Sequence, residues 1–225
     1  MNGLSLKEII ISFKEEIQEK EKAREEILST SRTVTRISKQ AVMAIHRHEL
    51  GEAKTKLQQA KIFIEKTENI LDSHQDLVIN SIRTAYQEYA EAQVFLWLVE
   101  KGKYPHPCEL NIPIIPYILG LADTIGEFRR RTLDFLREGK LKDAENCHKI
   151  MDEVYTELIN LDSAYVVAPE LRRKCDIARH VIESTIGDIA TETRRISLEK
   201  SIKLLDKRIG GLSGEVKRKE ARTNK

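Results

Sequence analysis

LKEIIISFKEEIQEKEKAREEILSTSRTVTRISKQAVMAIHRH, residues 6–48, contains neither proline nor glycine. Within it Ile9, Phe13 and Ile17, then Ile27, Val34, Ile37, Ala41 and Ile45, recur at spacings of three, four or seven. That is the period of one helix face. At about 1.5 Å per residue the helix would be about 65 Å long. A compact small domain does not need that length, so part of it is expected to pack against another subunit. Lys14 to Glu26 is almost wholly charged, with glutamates set three or four residues before lysines and arginines, as on a solvated face.

The rest of the chain reads in the same way. Proline breaks helix interiors, and none occurs before Pro105. Gly51 is expected to break the first helix. A second follows over about Glu52 to Asp72. A third starts at Ser73-His74-Gln75-Asp76 and runs to about Glu100, with Gly102 as its stop. The cluster Pro105, Pro107, Pro113, Pro116 reads as a structured loop into a fourth helix, about Ile114 to Arg137. Gly139 separates that from a fifth, about Leu141 to Asp162. A sixth begins near Pro169 and runs to about Arg208, ended by Gly210, Gly211 and Gly214. No strand-period run competes. The expectation is an all-α chain of six or seven long helices, with one helical domain over residues 1–209 and a polar, basic, disordered tail over 210–225.

Composition removes several classes. Of 225 residues 40% are hydrophobic, enough for a core and against global disorder. No run nears the roughly 18 apolar residues that would span a bilayer, and no signal-peptide pattern opens the chain. Membrane and secreted proteins are disfavoured, and a cytoplasmic setting is expected. Cys108, Cys147 and Cys175 form no CxxC pair, so neither a disulfide framework nor a zinc site is expected. Glycine-rich phosphate loops, GxSxG, HExxH and EF-hand loops are missing.

The 38 basic and 36 acidic residues leave a net charge of only +2, so any polyanion site must be a local patch. The charge is unevenly spread. Residues 1–165 carry 23 basic and 27 acidic groups, a net of −4, and residues 166–225 carry 15 and 9, a net of +6. Arg172-Arg173-Lys174, Arg194-Arg195 and Lys217-Arg218-Lys219 supply the excess. Such a stripe suits a phosphate backbone, and equally the counter-surface of an acidic neighbour.

Two acidic pairs stand out. In YQEYAEAQVFLWLVE, Glu88 and Glu91 lie about 60° apart on a helix that becomes apolar all round after Gln93, and hence buried there. In YILGLADTIGEFRRR, Asp123 and Glu127 lie about 40° apart, with Arg130 beside them at the edge of the apolar arc. Gly120 and Gly126 remove bulk nearby. Carboxylates beside a core are costly unless paired. Mg²⁺ or Mn²⁺ would pair them, as hard cations preferring oxygen, and such a site suits phosphodiester hydrolysis. Arg130 would neutralise charge growing on the phosphate. The alternative is that each acid pairs with a neighbouring arginine or lysine.

Two weaker patterns remain. A di-metal bundle needs two ExxH motifs, and only Glu145-Asn146-Cys147-His148 is present. His46-Arg47-His48, at the end of the first helix, would either touch phosphate or answer the helix dipole.

His46-Arg47, Gln87-Glu88-Tyr89-Ala90-Glu91-Ala92 and Tyr117 to Arg130 together resemble the translin family, and within it the Trax-like branch. The similarity covers about Leu6 to Arg208. It implies a seven-helix subunit assembling into a hollow octamer that binds RNA and single-stranded DNA inside and, in the Trax branch, cuts RNA with magnesium. The family's catalytic, metal-holding acids fall on Glu88, Glu91, Asp123 and Glu127, and its arginine on Arg130. Nucleic acid is then expected at His46, Arg47, Arg129, Arg130, Arg172, Arg173 and Lys174. The chain has no long N-terminal extension, which suggests a minimal homo-oligomer. The alternative is a translin-like oligomer that binds RNA or single-stranded DNA without cutting it.

Overall fold

A computed structural model of the chain describes residues 5–74 and 80–223, with side chains to Arg208. Among the described residues there are eight helices and no strand: α1 (Leu6–His46), α2 (Leu50–Ser73), α3 (Asn80–Lys101), α4 (Pro107–Leu110), α5 (Ile114–Arg137), α6 (Leu141–Ile159), α7 (Ala164–Val167) and α8 (Glu170–Thr223). Six are long, and α4 and α7 are single turns. The proline cluster makes α4, with Pro107 in its first turn and His106 as its cap. The start expected for the third helix falls partly on residues 75–79, outside the described residues.

Ser5 opens α1 with a capping box: its hydroxyl accepts from the Glu8 amide at 3.3 Å, and the Glu8 carboxylate accepts from the Ser5 amide at 2.7 Å. The turn into α2 differs from expectation. His48 adopts φ 63°, and the amides of His48 and Glu49 return to the carbonyls of Ile45 and Ala44. Those bonds satisfy the helix end, so a histidine takes the left-handed position and Gly51 sits inside α2. Gly139, at φ 71°, makes the α5–α6 turn as the sequence suggests. The backbone of α8 stays helical through Gly210, Gly211 and Gly214 to Thr223. Glycine costs a helix about 1 kcal/mol but lacks the steric block that makes proline a stop. The side chains of residues 209–223, most of the expected tail, lie outside the described residues.

Helix α3 is central, packed by α1 on one side and α5 on the other, and α5 also meets α6 and α8. Phe95 of α3 and Phe128 of α5 are fully buried and meet edge to face, with ring centroids 5.2 Å apart. Each such ring contributes about 1.5–3 kcal/mol by burial, and the pairing about 0.5–1.5 kcal/mol more. Above them the helices cross at Gly120, where a Cβ would lie 2.5 Å from the Gln87 carbonyl oxygen and 2.8 Å from the Glu91 amide nitrogen. Only glycine permits this crossing, and it brings the two acidic pairs together. The first turns of α1 leave the core: Leu6 is 74% exposed and Ile17 62%. Among the described residues no helix is long and apolar enough to cross a membrane.

Candidate metal and nucleic-acid site

Glu88 and Glu91 project from α3, and Asp123, Glu127 and Arg130 from α5, into one cleft of about 470 Å³ closed on its third side by Lys39, Val42 and Met43 of α1. The five residues singled out as an active centre are thus brought together. Lys39 Nζ lies 3.1 Å from Glu88 Oε1. His46 Nε2 donates to Glu127 Oε2 at 2.6 Å. Asp123 is held by Lys174 of α8 on one oxygen and by Gln87 Nε2, 2.6 Å away, on the other. Glu88 and Asp123 are thus paired with lysines, as the alternative expects, whereas Glu127 meets a histidine, and every partner is drawn from another helix.

Glu91 is the exception. Among the described residues it has neither an ion-pair nor a hydrogen-bond partner. Burial, then Asp123, Glu127 and Glu88 as like charges, push its carboxyl up to about 9, so it is neutral at pH 7. Among the described residues no three Asp, Glu, His or Cys side chains form a ready cation cage. The donor set still fits a hard divalent cation: four carboxylates face one cleft, and among the described residues one of them has no ion-pair partner.

The residues expected to bind nucleic acid are dispersed. The His46 side chain is 4% exposed and packs at a tilt against Phe95, ring centroids 5.1 Å apart, so it positions Glu127 and does not face solvent. Among the described residues its Nδ1 has no hydrogen-bond partner. Arg130 is exposed at the mouth of the cleft, its Nη1 3.6 Å from Met43 Sδ. Arg129 points to α8, ion-paired to Asp188 at 2.6 Å and bonded to Ser184. Arg47 pairs with Glu49 and Glu52. Arg172 lies over the Tyr165 ring, and Arg173 is exposed. Lys174, expected to contact phosphate, pairs with Asp123 from a neighbouring pocket between α5 and α8. The sequence reading missed Lys39 and Gln87. Gln87 immediately precedes Glu88, and Lys39 shares a helix face with Met43, but neither position reveals a partner on another helix.

The fold is that of the translin/C3PO proteins. Superposition on AfC3PO gives a TM-score of 0.76 at 28% identity, covering 83% of this chain and 97% of that one. An AfC3PO–duplex RNA complex gives 0.74 at 27% identity, with the same coverage. Apo-NeC3PO gives 0.76 at 21% identity, covering 85% and 100%. In sequence, the chain belongs to one family with the uncharacterized protein MJ0175 of Methanocaldococcus jannaschii, 37% identical over 186 residues and 82% of each chain. The Translin-associated protein X homolog of Schizosaccharomyces pombe is 26% identical over 140 residues, 56% of this chain and 61% of that protein. No model of a known protein family matches the chain.

Proposed function

We propose that the chain is a Trax-like, metal-dependent endoribonuclease that works as a homo-oligomer, an octamer by family resemblance. The observation that carries this is the convergence of four carboxylates from two helices on one cleft, with Glu91 buried there among three like charges and, among the described residues, without an ion-pair partner. Similarity to AfC3PO, which is solved with duplex RNA, and to the S. pombe protein supports it. Glu88, Glu91, Asp123 and Glu127 would hold Mg²⁺ or Mn²⁺. When bound, such an ion polarises a phosphoryl oxygen and lowers the pKa of coordinated water. The chain's own groups do the rest. His46 fixes the Glu127 carboxylate, and Gln87 and Lys174 fix Asp123. Arg130, at the mouth, meets the scissile phosphate and offsets charge growing on its oxygens.

A second reading is an RNA- or single-stranded-DNA-binding oligomer without catalysis. It is favoured by the three acids already matched by Lys39, His46 and Lys174. RNA incubated with wild-type protein and Mg²⁺, beside Asp123→Asn, separates the two. The nuclease reading expects cutting that needs the metal and falls about 100-fold or more in the variant, since even groups behind the ligands cost about 10–100-fold. Undiminished cutting by Asp123→Asn removes the assigned site. RNA binding with no product under any divalent metal selects the second reading.

A further inference from the structure

The three partnered acids of the cleft are held from different sides. Asp123 meets Lys174 in the small pocket between α5 and α8, whose other walls include Ala122, Ile125, Ala178 and Val181. Glu127 meets His46, a side chain only 4% exposed. The described residues that line the acid cleft include neither Lys174 nor His46, so both hold their carboxylates from behind. Lys39 differs. It lines the cleft itself, with Nζ 3.1 Å from Glu88 Oε1. A cation reaching Glu88 from the cleft must therefore compete with this ammonium.

The two lysines also differ in what release involves. The Lys174 side chain is 23% exposed and lies against apolar walls, whereas that of Lys39 is 63% exposed. An exposed lysine–carboxylate pair shifts an equilibrium by at most about fivefold, because water can replace either partner. Among the described residues Glu88 has no partner but Lys39, and Lys39 none but Glu88. Lys39 also lines the groove of about 890 Å³ along α1, so its flexible stem has room to turn away. Exchange breaks one contact and leaves no buried charge alone. We infer that Lys39 is an exchangeable counter-ion: it competes with a divalent cation for Glu88 and yields the carboxylate by swinging its ammonium into the groove along α1. Lys174 and His46 keep hold of theirs. This rests on the reading of the cleft as a metal site. A Lys39 that merely oriented Glu88 as a ligand would have the opposite effect, since removing it would weaken metal binding.

The test is Mn²⁺ binding by the full chain without RNA, read at neutral pH from the electron paramagnetic resonance signal of free Mn²⁺. Lys39→Met should tighten binding about threefold to tenfold, by loss of the competing pair and of a like charge beside the ion. Lys39→Arg keeps the charge in a fork that fits a carboxylate better, and should weaken binding about threefold. Arg36→Met removes the same charge one turn away, from a side chain that meets no acid among the described residues. It should leave the affinity within about twofold. Thermal melting unchanged in Lys39→Met excludes misfolding, and Lys39→Arg carries the test if that variant fails to fold. Unchanged or weaker binding by Lys39→Met, or tighter binding by Lys39→Arg, overturns the exchange and leaves the metal site standing. Equal tightening by Arg36→Met and Lys39→Met also overturns it, because charge alone would then explain the gain. No Mn²⁺ bound by wild type or by Lys39→Met removes the metal site and the exchange together. Tighter Mn²⁺ binding by Lys39→Met with no RNA cut by wild type removes the nuclease reading and supports the exchange.

Discussion

Glu91 is the residue on which the acid cleft turns, because it is buried beside three other carboxylates. In the unfolded chain its carboxyl titrates near the ordinary value of 4.5, and in the folded chain at about 9. Below the lower value both states hold the proton, and its contribution to stability is fully present. Between the two, only the folded state holds it, so stability is lost as pH rises, by up to about 1.4 kcal/mol per unit. Above about 9 the loss is complete. Glu91→Gln keeps the shape and removes the titration. Melting temperatures of both proteins in EDTA across this range should therefore converge at acid pH and diverge as pH rises, with the glutamine variant higher. Parallel curves would mean that Glu91 is not buried among like charges. The pairs on one helix, Glu88 with Glu91 and Asp123 with Glu127, were legible because helical spacing fixes them. The cross-helix partners were not: His46 and Glu127 are 81 residues apart, and Lys174 and Asp123 are 51 apart. Only packing sets those distances.

At the scale of elements, the crossing of α3 and α5 decides whether the two acidic pairs meet. Sequence marked Gly120 and Gly126 alike as places of close approach, but the structure separates them. A Cβ on Gly120 meets backbone atoms of α3 at 2.5 and 2.8 Å, whereas a Cβ on Gly126 meets nothing within 4 Å. Gly120→Ala must push the helices apart, at about 1–3 kcal/mol, and the melting temperature should fall by several degrees. Gly126→Ala should gain about 0.5–1 kcal/mol, because alanine loses less backbone freedom in a helix than glycine. Differential scanning calorimetry of the two variants gives the comparison, and equal shifts would show that the crossing is not tight. The long helices were legible from period and punctuation. The misreadings occurred where a local rule met a tertiary alternative. His48 took the turn assigned to Gly51, supported by two backbone bonds, and α4 and α7 are too short for any period to register.

At the scale of the whole molecule, the longest helices outrun the core. On the first turns of α1, Leu6, Ile10, Phe13 and Ile17 are exposed at spacings of four, three and four. On the far part of α8, Leu198, Ile202 and Leu205 are exposed at four and three. Both stripes have the spacing of a helix–helix seam, and neither is covered by the described residues. Exposed apolar stripes of this kind mark contact surfaces. A charge-rich α1 that buries nothing before Ala23 gains little from length within one subunit. Light scattering should therefore give a mass several times 25.9 kDa, eightfold by resemblance. Ile10→Glu/Ile17→Glu places two charges in the α1 seam and should lower that mass without lowering helix content, since both side chains already face solvent in the single chain. A monomeric wild type, or an unchanged assembly in the variant, would show that α1 does not supply the contact.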